Sequence, residues 1–237
     1  MYRLQKLLSM LGLYSRRATE KLILEQRIKI NGKIAALGDK WIKGDSLFLD
    51  DKELQVNLKL LNVDTQVIKY FKPIGEIVSM NDKFNKNNVF KYLPSVKGKW
   101  INIGRLDVQS SGLLLFTNNG DYANELMHPS NVIEREYEVV TDKTINISSQ
   151  KKLLSGVLIG KDVTGKFKAI NLIAKNKYRI ILVTGKNREI RKSLQYFNIK
   201  TLKLHRCRYG DVKIGRMKPK EIRYVNIKYI NNFLIKP

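Results

Sequence analysis

The sequence predicts an α+β protein built from two units, and three stretches carry that expectation. "RIKINGKI" (residues 27–34) alternates apolar and polar positions around Asn31-Gly32, the dipeptide of a tight hairpin. "LLLFT" (113–117) is an uncharged run bounded by Gly112 and by Asn118-Asn119-Gly120, which reads as a buried strand. "KYRIILVTGKNREIRKSLQYF" (177–197) passes from strand through a glycine-centred turn into a helix that buries Ile190, Leu194 and Phe197. Strands dominate with a few helices interleaved, which favours α+β over the other classes.

Taken in order, Leu4, Leu7, Leu8 and Leu11 recur at helical spacing and Gly12 ends the run. The opening "MYRLQKLLSMLGLYSRR" is basic and amphipathic like a transit peptide, but it reads better as the first helix of a domain. Ser15 caps a second helix through Glu25, with Arg16, Arg17 and Lys21 on its polar side. The Asn-Gly hairpin follows, and "WIKGDSLFLD" adds a short strand after Gly44-Asp45. Two helices and a small β unit make a compact module over residues 1–60. "KELQVNLKLLNVDT" (52–65) is polar and weakly patterned and reads as a linker. The second unit, 61–237, opens with a strand in "QVIKYFKPIGEIVS" that turns at Pro73-Gly75.

At 237 residues with 43% hydrophobic residues, the chain can bury a real core. Its net charge of +24 is far from ordinary and points to a polyanionic partner, nucleic acid first. Residues 1–60 carry only +5, so the larger positive field lies beyond them. It is concentrated between Arg188 and Arg208, where Arg188, Arg191, Lys192, Lys200, Lys203, Arg206 and Arg208 face the single acid Glu189. One cysteine, Cys207, and two histidines, His128 and His205, exclude an internal disulfide and a Cys/His zinc site within the chain and fit a reducing compartment. No apolar run approaches membrane-spanning length, so a soluble protein is expected.

Against that basic background, Arg105-Leu106-Asp107 places a carboxylate just ahead of the buried strand. On its own an Arg-x-Asp pair is ordinarily a surface ion pair worth very little. Two further segments, Glu134-Arg135-Glu136-Tyr137 and the run from Gly185 to Arg191, could join it only through the fold. Together they would offer a carboxylate held ionised by a guanidinium and able to act as a nucleophile, and a phenol able to stack on a base. By default, though, Tyr137 is a packed strand residue and Arg191 a solvated helix arginine.

Longer blocks resolve these alternatives. "GLYSRRATEKLILEQRIKINGKIAALGDKWIKGDSLFLD" resembles an S4 RNA-binding domain. "YFKPIG", "GRLDVQSSGLLLFTNNGDYANELMHPS", "EREYEV" and "VTGKNREIRKSLQYFNIKTLKLHRCRYGD" resemble, in the expected order, the signature blocks of RNA pseudouridine synthases of the ribosomal small-subunit/large-subunit group. The Glu-Arg-Glu-Tyr and Arg-Tyr-Gly-Asp variants lean toward the B-type, large-subunit (23S rRNA) branch. Ser110 stands where that family commonly has Thr, and it keeps the hydroxyl.

The resemblance implies a mixed or antiparallel sheet flanked by helices behind the S4 module, and isomerisation of uridine to pseudouridine without metal or cofactor. It implies that Asp107 starts the reaction as nucleophile or base, Tyr137 stacks on the uracil, Arg191 pairs with Asp107, and Leu204 packs beside the pocket. Arg105, Lys186 and Arg188, together with Arg16, Arg17 and Lys21 of the first module, would contact RNA. Ribosomal RNA or a pre-ribosomal subunit would be the partner of a cytoplasmic monomer that does not engage membranes. Two other readings stay open: a 16S (small-subunit) rRNA enzyme of the same chemistry, and a non-catalytic RNA-binding ribosome assembly factor.

Overall fold

A computed structural model describes residues 1–58, 63–79 and 87–227. The chain divides into two compact units, Met1–Thr65 with Ser95–Lys99, and Gln66–Pro94 with Trp100–Pro237. The expected boundary between residues 60 and 61 falls within 59–62, which lie outside the described residues.

The first unit runs β1 (Tyr2–Arg3), α1 (Leu4–Met10), α2 (Arg16–Leu24), β2 (Ile28–Ile30), β3 (Lys33–Ile34), β4 (Lys40–Trp41), β5 (Leu47–Leu49) and β6 (Lys52–Glu53). Ser15 caps α2 as its sequence position suggests, its hydroxyl accepting from the Ala18 N–H at 3.1 Å. Asn31 and Gly32 both take positive φ (50° and 77°), the geometry of a two-residue hairpin turn joining β2 to β3. The Asn-Gly and Gly-Asp signals prove to be one structure. Asn31 donates to Asp45 at 2.9 Å and accepts from the Ser46 N–H at 2.9 Å, so one turn anchors the other. Leu4, Leu7, Leu8, Leu22, Ile28, Trp41 and Leu47 close the core between helices and sheet. The expected linker begins later than its composition suggests. β6 pairs with β5, and Leu54 and Val56 pack on this core, because alternate side chains there still have an apolar surface to cover.

The second unit contains β7 (Val67–Lys72), β8 (Ile101–Ile103), β9 (Ser111–Thr117), α3 (Gly120–Met127), β10 (Arg135–Thr141), α4 (Ile147–Ser155), β11 (Val157–Gly160), β12 (Val163–Gly165), β13 (Ala169–Ala174), β14 (Lys177–Leu182), α5 (Glu189–Gln195), β15 (Thr201–Tyr209), β16 (Val212–Lys213) and β17 (Ile222–Tyr224). Nine of these strands form one sheet in the order β13-β14-β10-β15-β9-β7-β17, with β16 on β15 and β8 on β9. Its pairings are antiparallel except between β15 and β9, so the sheet is mixed. β9 is buried from Gly112 to Thr117, as its uncharged run requires of a strand covered on both faces. Leu113, Leu115, Tyr122, Leu126 and Ile133 make up much of the core on the α3 side. In α5, Ile190 and Leu194 are buried as expected, whereas Phe197 lies beyond the helix and is only half-buried. The helix ends at Gln195, and Ile199 fills the interior instead.

Candidate active site

The parallel contact between β15 and β9 builds the site. Cross-strand pairing sets Ile180, Tyr137, Arg206, Gly112 and Lys72 in one continuous row over β14, β10, β15, β9 and β7. Gly112 cannot be replaced in this row. Its φ is +111°, and a Cβ there would lie 2.3 Å from the Arg206 carbonyl oxygen, so only a residue without a side chain lets the two strands meet. Tyr137 and Gly112 stand two strand spacings apart, about 10 Å. The loop carrying Asp107 feeds into the Gly112 end of the row.

That loop is held from beneath by a residue outside the sequence-predicted site. Lys72 is completely buried, and its ammonium donates to the carbonyls of Pro73 (3.0 Å), Asp107 (3.1 Å) and Ser110 (2.9 Å). Burial pushes its pKa down to about 8, opposed by the charges of Glu76 and Asp107. The lysine of the "YFKPIG" block was the available signal, yet its role appears only once 72, 107 and 110 are brought together. The turn closes with the Ser110 N–H donating to the Asp107 carbonyl at 3.0 Å.

Asp107 itself is part-exposed, and the nearest guanidinium is that of Arg188, 3.9 Å from its carboxylate. This corrects the expected Arg191–Asp107 pair. Arg191 instead donates to the carbonyls of Gln109 (2.8 Å) and Thr201 (3.1 Å), tying the Asp107 loop to the start of β15. Its charge still acts on Asp107, while burial first and then Arg188 lower the Arg191 pKa. Arg188 reaches the carboxylate from an uncommon backbone conformation, φ +52°, at the N-terminus of α5.

The turn before α5 is fixed by two interior charges. The buried Glu189 carboxylate accepts from the Thr184 hydroxyl (2.6 and 2.7 Å), the Lys186 N–H (3.1 Å) and the Lys166 N–H (3.3 Å). Arg135, also buried, donates to the carbonyls of Val183 (2.9 Å) and Thr184 (3.2 Å) and to the Tyr209 hydroxyl (2.9 Å). Glu189, the single acid of the basic stretch, therefore shapes the loop that presents Arg188.

The remaining predicted residues are distributed as follows. Tyr137 is 8% exposed, flanked in register by Ile180 and Arg206, so the ring is wedged in the sheet with only a small accessible part. Leu204 is buried on β15 opposite Val139, one alternation along from the Tyr137 position. Arg105 is exposed and, among the described residues, makes no ion pair. Lys186 and Arg188 are exposed on the loop before α5. In the first unit Arg16, Arg17 and Lys21 line the exposed side of α2, Lys21 within 3.6 Å of Glu25. The basic stretch 188–208 does not act as one patch. Arg206 is buried, donating to the Leu113 carbonyl at 2.7 Å, and Arg208 is paired with Glu134 and Glu136. Two residues apart, they would share a face in a regular strand, but a bulge in the β10–β15 register pairs Arg206 with Tyr137 and Arg208 with Glu136 and so sends them to opposite sides, which sequence proximity alone cannot reveal.

Chemically, the arrangement is a reachable carboxylate on a clamped loop, with two guanidiniums beside it and a phenol on the adjoining row. Comparison with known proteins places the chain in a family. Residues 66–196 match the family model described as RNA pseudouridylate synthase, and residues 3–40 match the S4 domain. The chain is 42% identical over 217 residues to the ribosomal large subunit pseudouridine synthase B of Buchnera aphidicola, covering 89% of this chain and 86% of that protein. It is 35% identical to the protein of the same name from Salmonella typhi, covering 99% of this chain and 84% of that one. A crystal structure of a pseudouridylate synthase superposes with a TM-score of 0.70 at 21% identity, covering 98% of this chain and all of that one, and so shares the fold. The chain belongs to the RNA pseudouridine synthase family and carries an S4 domain at its N-terminal end.

Proposed function

We propose that this protein isomerises a specific uridine of large-subunit (23S) ribosomal RNA to pseudouridine, with Asp107 as the catalytic carboxylate. The observation that carries the proposal is the Asp107 loop, clamped by Lys72 and Arg191 while its carboxylate stays part-exposed beside Arg188. In the reaction the N1–C1′ bond breaks, the uracil turns, C5 bonds to C1′, and the C5 proton leaves as N1 gains one. Asp107 starts it as nucleophile or base, and Tyr137 stacks on the uracil through the part of its ring left accessible. Arg191 keeps the loop in place and stabilises the carboxylate by its charge. Leu204 supports Tyr137 from the neighbouring strand.

Flipping the uridine out of its stack costs a few kcal/mol. Phosphate contacts offset that cost, and they come from Arg105, Lys186 and Arg188 near the site and from Arg16, Arg17 and Lys21 on the S4 domain. The names of the relatives favour the large subunit over 16S rRNA as the substrate. The retained Asp107, Tyr137 and Arg191 favour an enzyme over a non-catalytic assembly factor. The same reading has the protein acting as a cytoplasmic monomer on rRNA or a pre-ribosomal subunit. No helix among the described residues is long and apolar enough to cross a membrane.

The test is tritium release from 5-tritiated uridine in unmodified 23S and 16S transcripts, with the product position mapped. Release from 23S alone is expected. Release from 16S alone would move the protein to the small-subunit branch, and release from neither would overturn the enzymatic reading.

A further inference from the structure

Beside α5 the second unit opens a cleft of about 660 Å³, and apart from Arg188 and Arg191 its lining residues have no part in the isomerisation described above. Arg188 and Arg191 are among its lining residues, and the Arg188 guanidinium also lies 3.9 Å from the Asp107 carboxylate. Its walls combine two kinds of side chain. Leu158, Tyr196 and Leu202 are apolar or aromatic yet 60%, 56% and 59% exposed, an unusual concentration for a surface recess. Lys192 and Lys200 add exposed positive charge, and no acidic side chain lines the cleft. The Tyr196 ring is braced edge-on against Phe197, with centroids 5.0 Å apart, which limits its motion while leaving it open to solvent.

Flat exposed ring, apolar floor and unopposed cations are the parts that hold single-stranded nucleic acid: a base stacks on the aromatic while phosphates meet the lysines. A solvated helix face explains the lysines but not the three exposed apolar groups gathered with them. A protein partner would fill the apolar floor, but the wholly positive lining favours a polyanion, and Arg188 in that lining joins the cleft to the place where an RNA strand must be unstacked. We infer that the substrate strand continues from the flipped uridine into this cleft, where a neighbouring unpaired base stacks on Tyr196 between Leu158 and Leu202 and its phosphates are met by Lys192 and Lys200. The cleft thus reads whether the residues next to the target are single-stranded, and it selects uridines in loops or bulges over those in continuous helix. This rests on the proposed action on rRNA.

The experiment uses the full chain and an unmodified 23S rRNA transcript, with tritium release and filter binding as readouts. Tyr196→Ala raises KM and Kd about tenfold, equivalent to about 1.4 kcal/mol and within the range of one base–aromatic stack. Tyr196→Phe stays within about twofold of wild type because the ring is retained, whereas Tyr196→Leu behaves like the alanine variant. Lys192→Ala and Lys200→Ala each flatten the log–log salt slope of binding by about 0.7. Tyr224→Ala, which removes an equally exposed ring from β17, changes none of these. Wild-type KM and Kd in Tyr196→Ala, or equal losses in the Phe and Ala variants, would overturn the stacking site. An unchanged salt slope in both lysine variants would overturn the phosphate path. If the wild-type protein itself released no tritium, the functional reading would fail; if it turns over and Tyr196→Ala matches it, only the cleft inference fails.

Discussion

Two acidic regions of the second unit treat their carboxylates in opposite ways. At the start of β10 and along it, Glu134 meets Lys168 at 2.5 Å and Arg208 at 2.9 Å, Glu136 meets Arg208 at 3.0 Å and Arg179 at 3.3 Å, and Glu138 meets Lys177 at 2.7 Å. The pairs of Glu136 and Glu138 cross between strands on one sheet face, and the cations hold the Glu134 and Glu138 carboxyls below their ordinary range. Asp107, on a loop, has one guanidinium at 3.9 Å, while the groups around it bond to the loop's carbonyls and leave its carboxylate alone. The difference separates a carboxylate engaged in structure from one kept available. A fully bonded carboxylate has its lone pairs occupied; a clamped but sparsely paired one can approach a substrate.

The sharpest way to break this comparison is at Asp107 itself. Asp107→Asn keeps shape and hydrogen bonding but removes the charge and basicity, so tritium release falls by about 10³ or more. Binding of the 23S transcript stays within about threefold, because the carboxylate contributes little to phosphate recognition. Turnover within tenfold of wild type would place Asp107 among the structural carboxylates.

Arg191 tests whether the clamp matters as much as the charge. Arg191→Ala removes both carbonyl bonds as well as the neighbouring positive charge, and single-turnover rates at saturating RNA fall by about 10². Arg191→Lys restores the charge but cannot span the Gln109 and Thr201 carbonyls as a planar fork does, so recovery is partial. Full recovery would mean that charge alone is needed; a wild-type rate in the alanine variant would make this an ordinary helix arginine.

Lys72 should affect stability before chemistry. Lys72→Met leaves three carbonyls without their shared donor and costs about 2–4 kcal/mol, about 4–16 °C in Tm for a chain of this size. The pH dependence has a definite sign. With a folded pKa near 8 and an ordinary unfolded value, the unfolded chain holds the extra proton between about pH 8 and 10.5. Wild-type stability therefore gains relative to Lys72→Met as pH rises through that window, by up to about 1.4 kcal/mol per pH unit. Denaturant melts of both proteins from pH 7 to 10.5 measure it, and a gap that is constant with pH would mean Lys72 is not held depressed.

Much of this fold could be read locally, where one short stretch determines its own geometry. Ser15 at the start of α2, Asn31-Gly32 in the hairpin and the uncharged run ending at Thr117 are of that kind. Asp107, Tyr137 and Arg191 were singled out through block resemblance, because their spacing in the chain does not itself reveal the row that joins them. The contacts that create the site were beyond local reading. Lys72 under the Asp107 loop joins positions 35 and 38 residues apart, and Arg191 to Gln109 spans 82. The same limit bears on the Arg191–Asp107 pair: the block resemblance implied that pair, whereas in the fold the Gln109 and Thr201 carbonyls take the guanidinium's hydrogen bonds. Arg206 and Arg208 are adjacent in a basic run yet differ in fate, since a bulge between Glu136 and Tyr137 in the β10–β15 register decides which side each one occupies.

The smallest expected effect lies on the other side of the comparison, at Glu138. Its pair with Lys177 is short, but 30% of the Glu138 side chain and 40% of the Lys177 side chain remain exposed, so solvent screens the attraction. Glu138→Gln should cost no more than about 0.5–1 kcal/mol at pH 7, lowering Tm by about 1–4 °C. The Lys177 hydrogen bond holds the Glu138 carboxyl below its ordinary range. The stability it contributes is therefore fully present above the unfolded carboxyl value and is lost as pH falls through the lower folded one. The Tm difference between wild type and Glu138→Gln should accordingly shrink on acidification, since a protonated glutamate and a glutamine are then alike in charge. Tritium release at saturating transcript should match wild type throughout, because nothing in this pair touches the Asp107 loop. A large loss of turnover with an intact melt would show that the acidic face of β10 acts on the chemistry, and the division between engaged and available carboxylates would then fail.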